Sequence, residues 1–163
     1  MILIRETVVG VVDGGDMLKI DLNLTAVNQR LDGITKAVKE DLQPAAQAGA
    51  QVFYDLAKSL APVSKAPHMF HIGGRVYGPF KPGNLRDSIY QVYAKTKSSD
   101  SRVTYEISFN HTKAPYGFAV LRGTPKAPAR DFIGQAYDIG ESAAKLVTKT
   151  RLEQSVKKRA GSS

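Results

Sequence analysis

The feature that most constrains the fold is a long helical stripe of apolar residues. From Leu24 to Leu60, apolar side chains recur at steps of three and four, the spacing of one face of an amphipathic helix. Asn23 or Thr25 is a suitable N-cap for this helix. Pro44 falls inside the stripe, where it removes a hydrogen bond and crowds the preceding turn. Because the stripe resumes in phase after Pro44, the pattern predicts either one long kinked helix or two helices nearly in line.

Small residues are concentrated just after this proline. Small side chains allow another element to approach closely, because little bulk separates the two backbones. The element that approaches is predicted to be the protein's own sheet or, as the alternative, a neighbouring subunit. The small residues are Ala45, Ala46, Ala48, Gly49 and Ala50.

Other segments have the patterns of β-strands. Thr7–Val12 and Met17–Leu22 flank an Asp-Gly-Gly-Asp turn and predict a hairpin. The first of these strands has no polar face, which indicates burial on both sides or contact with a partner. Ser88–Lys95 and Arg102–Phe109 predict an antiparallel pair, and Phe118–Leu121 predicts a further strand.

A long segment without helical pattern, Val63–Asn84, separates the first helix from these strands. Within it, Met69–Ile72 and Arg75–Tyr77 are β-prone and are joined by two glycines, a two-residue hairpin signal. We therefore predict a projecting β-hairpin arm inserted at 63–84. Its aromatic residues are hard to bury in a small core and form a candidate partner surface. The alternative is an arm folded back on its own domain.

A second apolar stripe predicts a C-terminal helix, and its pattern fades beyond about Thr148. The predicted fold class is α+β, with a mainly antiparallel twisted sheet packed against the long, Pro-kinked helix and the C-terminal helix. Residues 1–150 are expected to form a single domain, and 151–163 a basic, flexible tail. The stripe comprises Phe132, Ala136, Ile139, Ala143 and Leu146.

The composition gives little support for catalysis or for membrane insertion. The chain has no cysteine, which excludes disulfides and thiolate metal sites. No apolar run is long enough for a membrane helix, and the first residues do not resemble a signal peptide. His68 and His71 are three residues apart, but they lie among prolines and glycines without a nearby acid. No enzyme activity, metal or cofactor is expected.

Much of the net charge of +8 lies near the end of the chain. This cluster predicts contact with nucleic acid or with an acidic protein surface. The alternative is a solvated helix end whose cations suit the helix dipole. A nucleic-acid-binding module would also need interleaved aromatic residues, which this stretch lacks. The basic residues are Lys145, Lys149, Arg151, Lys157, Lys158 and Arg159.

Four short motifs occur in the order found in a known family. In chain order they are Ala61-Pro62, Gly83-Asn84-Leu85-Arg86-Asp87-Ser88-Ile89, Tyr116 with Gly123-Thr124, and Pro128-Ala129 with Phe132-Ile133. Together they resemble the neck and tail-completion proteins of long-tailed, lambda-like phages. The resemblance spans roughly residues 46–143.

The resemblance implies a structural virion protein, made in the host cytoplasm, that completes the tail and joins it to the head. Such proteins act as rings, commonly of six copies. The implied partners are other copies, head-closure, terminator or tail-tube proteins, and the packaged DNA, but no membrane. A tail-terminator ring is the alternative within this class, and a nucleic-acid-binding module the alternative outside it. The candidate interface residues are Phe70, Arg75, Tyr77, Phe80, Arg86 and Arg122.

The chain departs from the family pattern at two places. The family usually has a glutamate shortly before its Gly-Thr pair, whereas Leu121-Arg122 stands here. An ion pair made by that glutamate is therefore not expected. The family's short link between Ala-Pro and the Gly-x-Leu-Arg motif is replaced by the predicted arm, which we expect to fit this protein's own neighbours.

Overall fold

Two long helices, a four-stranded sheet and a separate β-hairpin make up the protein in a computed structural model, which describes residues 7–13, 17–23 and 35–160. The strands are β1 (Thr7–Asp13), β2 (Met17–Asn23), β3 (His68–Ile72), β4 (Arg75–Phe80), β5 (Ile89–Tyr93) and β6 (Arg102–Phe109). The helices are α1 (Thr35–Leu60), α2 (Asn84–Ser88), α3 (Gly117–Arg122) and α4 (Phe132–Ala160), with one 3-10 turn at Lys95–Lys97. The predicted α+β class is confirmed.

The larger sheet is antiparallel, with strand order β1-β2-β6-β5. The predicted hairpin is present, and Val9 of β1 lies opposite Asp21 of β2. The predicted pair β5–β6 is also present, and Gln91 lies opposite Ile107. Within the described ranges, β1 and β5 are the two edges of the sheet. The predicted turn at 14–16 lies outside the described residues.

Strand β6 is buried on both of its faces. On the core side, Ile107 and Phe109 are fully buried, as the alternating pattern predicts. Thr104, on the opposite side, is also fully buried because the segment around the 3-10 turn covers it. Its hydroxyl donates to the carbonyl oxygen of Lys97 at 3.1 Å, and its amide donates to Oγ of Ser98 at 3.0 Å. The buried hydroxyl and amide groups of Thr104 therefore both have hydrogen-bond partners inside the protein.

Helix α1 passes through Pro44 without ending. Of the two predicted alternatives, the structure has the single long helix. Pro44 lies on the exposed side of the helix, where its ring removes one helical hydrogen bond without ending the helix. The earlier part of the predicted stripe, 24–34, lies outside the described residues.

The small residues of α1 pack mainly against α4, which runs antiparallel to it. A methyl group added at Gly49 would overlap Oγ1 of Thr148 and lie 3.3 Å from the carbonyl oxygen of Ala144. One added at Gly140 would lie 2.6 Å from Cδ1 of Leu56. The two backbones approach because each helix presents a glycine to the other. At Gly49, the element that approaches α1 is thus the C-terminal helix and not the sheet.

The predicted apolar face of α4 is only partly correct. Phe132 and Ala136 are buried, but Ile139 is 61% exposed and Leu146 is 63% exposed. The buried face continues instead mainly through small and β-branched residues, followed by one leucine. The prediction assigned the large apolar residues to this face, but close packing of two helices requires small side chains at the contact. The residues that continue the buried face are Gly140, Ala144, Thr148 and Leu152.

Helix α4 also extends further than its sequence pattern predicts. It continues to Ala160, and Leu152 is buried with 8% exposure. Residues 151–160, which the pattern assigns to the tail, are therefore helical. The division of the chain into one domain and a flexible tail remains a prediction.

The predicted strand Phe118–Leu121 is wrong, because this segment lies in helix α3. A short apolar run cannot by itself distinguish a strand from one turn of helix. Here the helix begins at Gly117, whose missing side chain leaves room for the buried ring of Phe109. Any larger residue at 117 would overlap that ring.

Gly49→Val is expected to lower the free energy of unfolding. Valine gains a few tenths of a kcal/mol in helix propensity over glycine. Its branched side chain meets Thr148 and the Ala144 carbonyl, and such overpacking costs about 1–3 kcal/mol. Urea denaturation measures the difference.

Gln47→Val is the matched control, since Gln47 is exposed on the same helix. It should change stability by less than about 0.5 kcal/mol. Equal stabilities of the two valine variants would contradict the close packing of α1 on α4.

Candidate functional site: the arm and the cleft at its root

The predicted arm is a β-hairpin that forms its own two-stranded sheet. Its strands β3 and β4 are joined by Gly73 and Gly74, whose φ angles of 55° and 76° suit glycine in a tight turn. Phe70 lies opposite Tyr77, and His71 lies opposite Val76. Residues that lie opposite one another share a face of the sheet, and successive residues alternate between faces.

The two faces of the arm differ in exposure. Phe70 and Tyr77, on what we call the inner face, are half-buried. Met69 is 50% exposed and Val76 is 56% exposed. With the exposed His71, these two define the outer face of the arm. Among the side chains whose exposure the structure describes, the apolar residues of the outer face are therefore more exposed than those of the inner face.

Tyr116 holds the root of the arm to the domain. It is 4% exposed, and its ring centroid lies 4.8 Å from Phe80, 5.1 Å from His68 and 5.5 Å from Phe70. Asn84 donates to Oη of Tyr116 at 3.3 Å and to the carbonyl oxygen of Lys113 at 2.8 Å. The aromatic cluster fixes where the arm leaves the body of the protein.

The Gly-Asn-Leu-Arg-Asp-Ser motif forms α2 at the same root. Gly83 has a φ of 82°, a left-handed conformation that other residues rarely adopt. Leu85 is buried at 2% exposure, and Oγ of the buried Ser88 donates to its carbonyl oxygen at 2.7 Å. Most of the motif thus maintains the fold.

The exposed pair of this motif is Arg86 and Asp87. Nε of Arg86 lies 2.8 Å from Oδ1 of Asp87. Hydrogen bonding to Arg86 lowers the pKa of the Asp87 carboxyl, and the same bond raises the pKa of the guanidinium. Asp87 is thus the ion-pair partner of Arg86.

An open cleft of about 330 Å³ lies between the root of the arm, α2, α3 and the loop at 124–130. Phe70, Leu85, Tyr116 and Val120 supply part of its apolar wall. Lys81 and Arg130, both exposed, are its cationic residues. Among the described residues, no aspartate or glutamate lines this cleft.

Two polar atoms in the wall of this cleft are buried without a hydrogen-bond partner among the described residues. They are Oγ of Ser64 and Nδ1 of His68. Such atoms usually have a partner in a complete assembly. The wall of the cleft thus offers two polar atoms that can bind a water molecule or a polar group of another molecule.

The structure brings together only some of the predicted interface residues. Phe70 and Phe80 meet at Tyr116, whereas Arg75 is exposed beside the turn of the arm. Arg122 lies on α3, where its guanidinium is 5.5 Å from the ring centroid of Phe118. Whether these residues contact another subunit remains a prediction.

The predicted basic residues lie on α4. Nζ of Lys145 lies 2.7 Å from Oε1 of Glu141, and Nζ of Lys149 lies 4.0 Å from Oε1 of Glu153. The hydrogen bond from Lys145 lowers the pKa of the Glu141 carboxyl, and the same bond raises the pKa of the lysine. These partly exposed pairs stabilise the helix only weakly. The side chains of Arg151, Lys157 and Lys158 are exposed.

Sequence reasoning missed the residues at the centre of this site. Tyr116 was one motif position among several, and His68 was considered only as a metal ligand. Arg130 follows Pro128-Ala129 in the last of the family motifs, and the sequence gives it no role of its own. A buried tyrosine that follows a strand and precedes a glycine was the available signal, but its contacts come from segments 30 to 50 residues away.

Tyr116→Ala is expected to destabilise the protein by about 3–5 kcal/mol, the usual cost of truncating a buried aromatic side chain. It should also increase hydrogen exchange in the arm, because three ring contacts are lost. Tyr116→Phe is the control, since it keeps the rings and loses only the hydrogen bond from Asn84, worth about 0.5–1.5 kcal/mol. Unchanged exchange in the arm of Tyr116→Ala would contradict the anchoring role.

Two searches of the described residues bear on other kinds of site. In this part of the chain, no group of three or more His, Cys, Asp and Glu residues could hold a metal ion. None of the described helices has the length and hydropathy needed to cross a membrane.

Comparison with known proteins identifies a family. Neither the curated proteins nor the solved structures gave a significant match. A family model described as "Bacteriophage HK97-gp10, putative tail-component" matches residues 25–117, which include α1, the arm, α2 and the β5–β6 pair. Because this match covers more than half of the chain, the chain belongs to the HK97-gp10-like family of phage tail components.

Proposed function

We propose that this protein completes the phage tail and joins it to the head as one subunit of a ring. Its role is structural and not enzymatic, and its place is the neck of the virion. The ring contains several copies, six in the form common among neck proteins. Membership of a phage tail-component family supports the general role.

The outer face of the arm is the observation that carries this proposal. Tyr116 anchors the root, yet Met69 and Val76 remain half exposed or more. A rigidly held apolar surface is suited to contact with another protein, because little ordering is needed when it binds.

A ring also needs a second, different surface on each copy. The outward side of β5 offers one, because Tyr90 is 40% exposed and Val92 is 43% exposed. These residues are two apart and so share one face at an edge of the larger sheet. In the proposed ring, the outer face of one arm contacts β5 of the next copy.

The basic end of α4 is assigned to a negatively charged neighbour, either an acidic protein surface or the packaged DNA. Arg151, Lys157 and Lys158 are exposed there, as such a contact requires. Counterion release and charge attraction both favour this contact.

Val76→Asp is expected to abolish the joining of heads to tails while leaving the fold intact. Val76 is exposed in the subunit, but the proposed contact would bury an unpaired carboxylate. The measurement is the yield of tailed particles when the variant replaces the wild-type protein during assembly.

Thr112→Asp is the matched control, since it introduces the same charge at an exposed β-branched residue outside the arm, in the loop after β6. It should join tails as the wild type does. Normal joining by the folded Val76→Asp variant would contradict the role of the arm.

Reversing the charges of Arg151, Lys157 and Lys158 to glutamate should reduce tail joining while the protein stays folded. Because Lys157 and Lys158 lie in the last turn of α4, glutamate there opposes the helix dipole and lowers stability by about 0.3–1 kcal/mol at each position. The side chains are exposed, so little folded-state packing is lost. Reversing Lys65, Lys113 and Lys126 together, which are exposed in other parts of the chain, controls for the same change in net charge. If the triple variant joins tails normally, these cations are a solvated helix end.

A further inference from the structure

We infer that the cleft at the root of the arm binds a segment of a neighbouring protein that carries an acidic side chain beside apolar ones. The cleft has a volume of about 330 Å³, near the lower end of the roughly 300–1,000 Å³ found for ligand sites. It therefore has room for a few side chains. Three features of the cleft point to this occupant: its unpaired cations, its ordered apolar wall and its unpartnered polar atoms.

The cations of the cleft are not neutralised by the protein itself. Lys81 follows the last strand of the arm, and Arg130 ends the loop at 124–130, so two separate segments bring positive charge to one cleft. Within the described ranges, neither side chain has a hydrogen bond or an ion pair. Positive charge without a neighbouring acid attracts an anionic ligand.

The acids closest to this region along the chain are held elsewhere. Asp131, next to Arg130, accepts a hydrogen bond from the amide of Gly134 at 2.8 Å, at the start of α4. Asp87 pairs with Arg86 on α2. Neither aspartate lines the cleft. The counter-charge for the cleft is thus left to another molecule.

The wall between the cations is mainly apolar and is held in place. Val63, which is 50% exposed, and Val120 are part of this wall. The amide of Arg130 donates to the carbonyl oxygen of Val120 at 2.8 Å, which ties the loop to α3. Because the wall is already ordered, burying apolar side chains against it costs little conformational entropy.

The unpartnered polar atoms, Oγ of Ser64 and Nδ1 of His68, suit a polypeptide. Each can donate or accept a hydrogen bond, and leaving such an atom buried without a partner costs free energy. The backbone of a bound segment supplies both N–H donors and C=O acceptors. A small inorganic anion would match only the cations.

A nucleic-acid strand also carries negative charge, but the aromatic residues here do not suit it. Single strands bind by stacking their bases on available aromatic rings. The ring of Tyr116 is only 4% exposed and is already covered by Phe70, Phe80 and His68. The cleft therefore favours an acidic protein segment. It lies apart from Val76 and β5, so this inference does not rest on the proposed ring.

Amide chemical shifts of the isotope-labelled full chain, titrated with short synthetic peptides, test the inference. The first peptide carries one glutamate between two leucines. Its matched controls replace the glutamate with glutamine or both leucines with serine. The first peptide should cause saturable shifts at Ser64, Val120 and Arg130 but not at Val76. Both control peptides should bind at least about threefold more weakly.

Substitutions of the cations make the test specific for charge recognition. Lys81→Gln and Arg130→Gln should each weaken binding of the glutamate peptide about three- to fivefold, the effect of one partly exposed ion pair. Lys126→Gln is the matched control, because Lys126 is exposed in the same loop but does not line the cleft. The double variant Lys81→Glu with Arg130→Glu should instead prefer a peptide with lysine between the two leucines.

The inference is overturned if the glutamate peptide causes no saturable shifts at the cleft by about 10 mM, or if the glutamine peptide binds equally well. It is also overturned if Lys126→Gln weakens binding as much as Arg130→Gln does, or if oligothymidylate binds the cleft more tightly than the peptide. These measurements use the isolated protein, so normal tail joining by Val76→Asp, which would contradict the proposed ring, would leave them unaffected.

Discussion

The close antiparallel contact of α1 with α4 is the constraint on which the rest of the structure depends. Gly49 and Gly140 bring the two backbones together, and the helices cover the sheet as a pair. Because this contact uses small residues, it leaves the larger Ile139 and Leu146 on the outside of α4. The requirement for close packing inside the subunit thus places two large apolar side chains on the surface of α4.

The arm depends on a second contact, the cluster around Tyr116. Its ring meets residues of both arm strands, while Asn84 ties it to α2. The motif around Gly83 therefore supports the root of the arm. A fixed root lets the arm keep an exposed apolar face without disturbing the core. Below the root lies the cleft, where Oγ of Ser64 and Nδ1 of His68 have no hydrogen-bond partner among the described residues.

Much of the fold follows from local patterns in the sequence, and the misses share a physical cause. The β5–β6 pair, the Gly73-Gly74 hairpin and the helix through Pro44 were predictable because period and turn chemistry are local. The buried face of α4 and the helix α3 were not, because each depends on a glycine placed against a distant side chain. The cleft could not be predicted either, since it joins four segments that are separate in the sequence. The sequence points to the aromatic residues of the arm as its exposed surface. Met69 and Val76 are the more exposed residues instead, because Tyr116 packs against the aromatic face of the arm.

The most direct test of the account is a cross-link between neighbouring copies in assembled tails. The chain has no cysteine, so Val76→Cys with Val92→Cys introduces the only two thiols. The account predicts that a short thiol-reactive cross-linker links this double variant into a ladder of covalent oligomers ending at the ring. Thr112→Cys with Val92→Cys should give no ladder. A Val76/Val92 variant that joins heads to tails but stays uncross-linked in the particle would contradict an arm-to-strand ring.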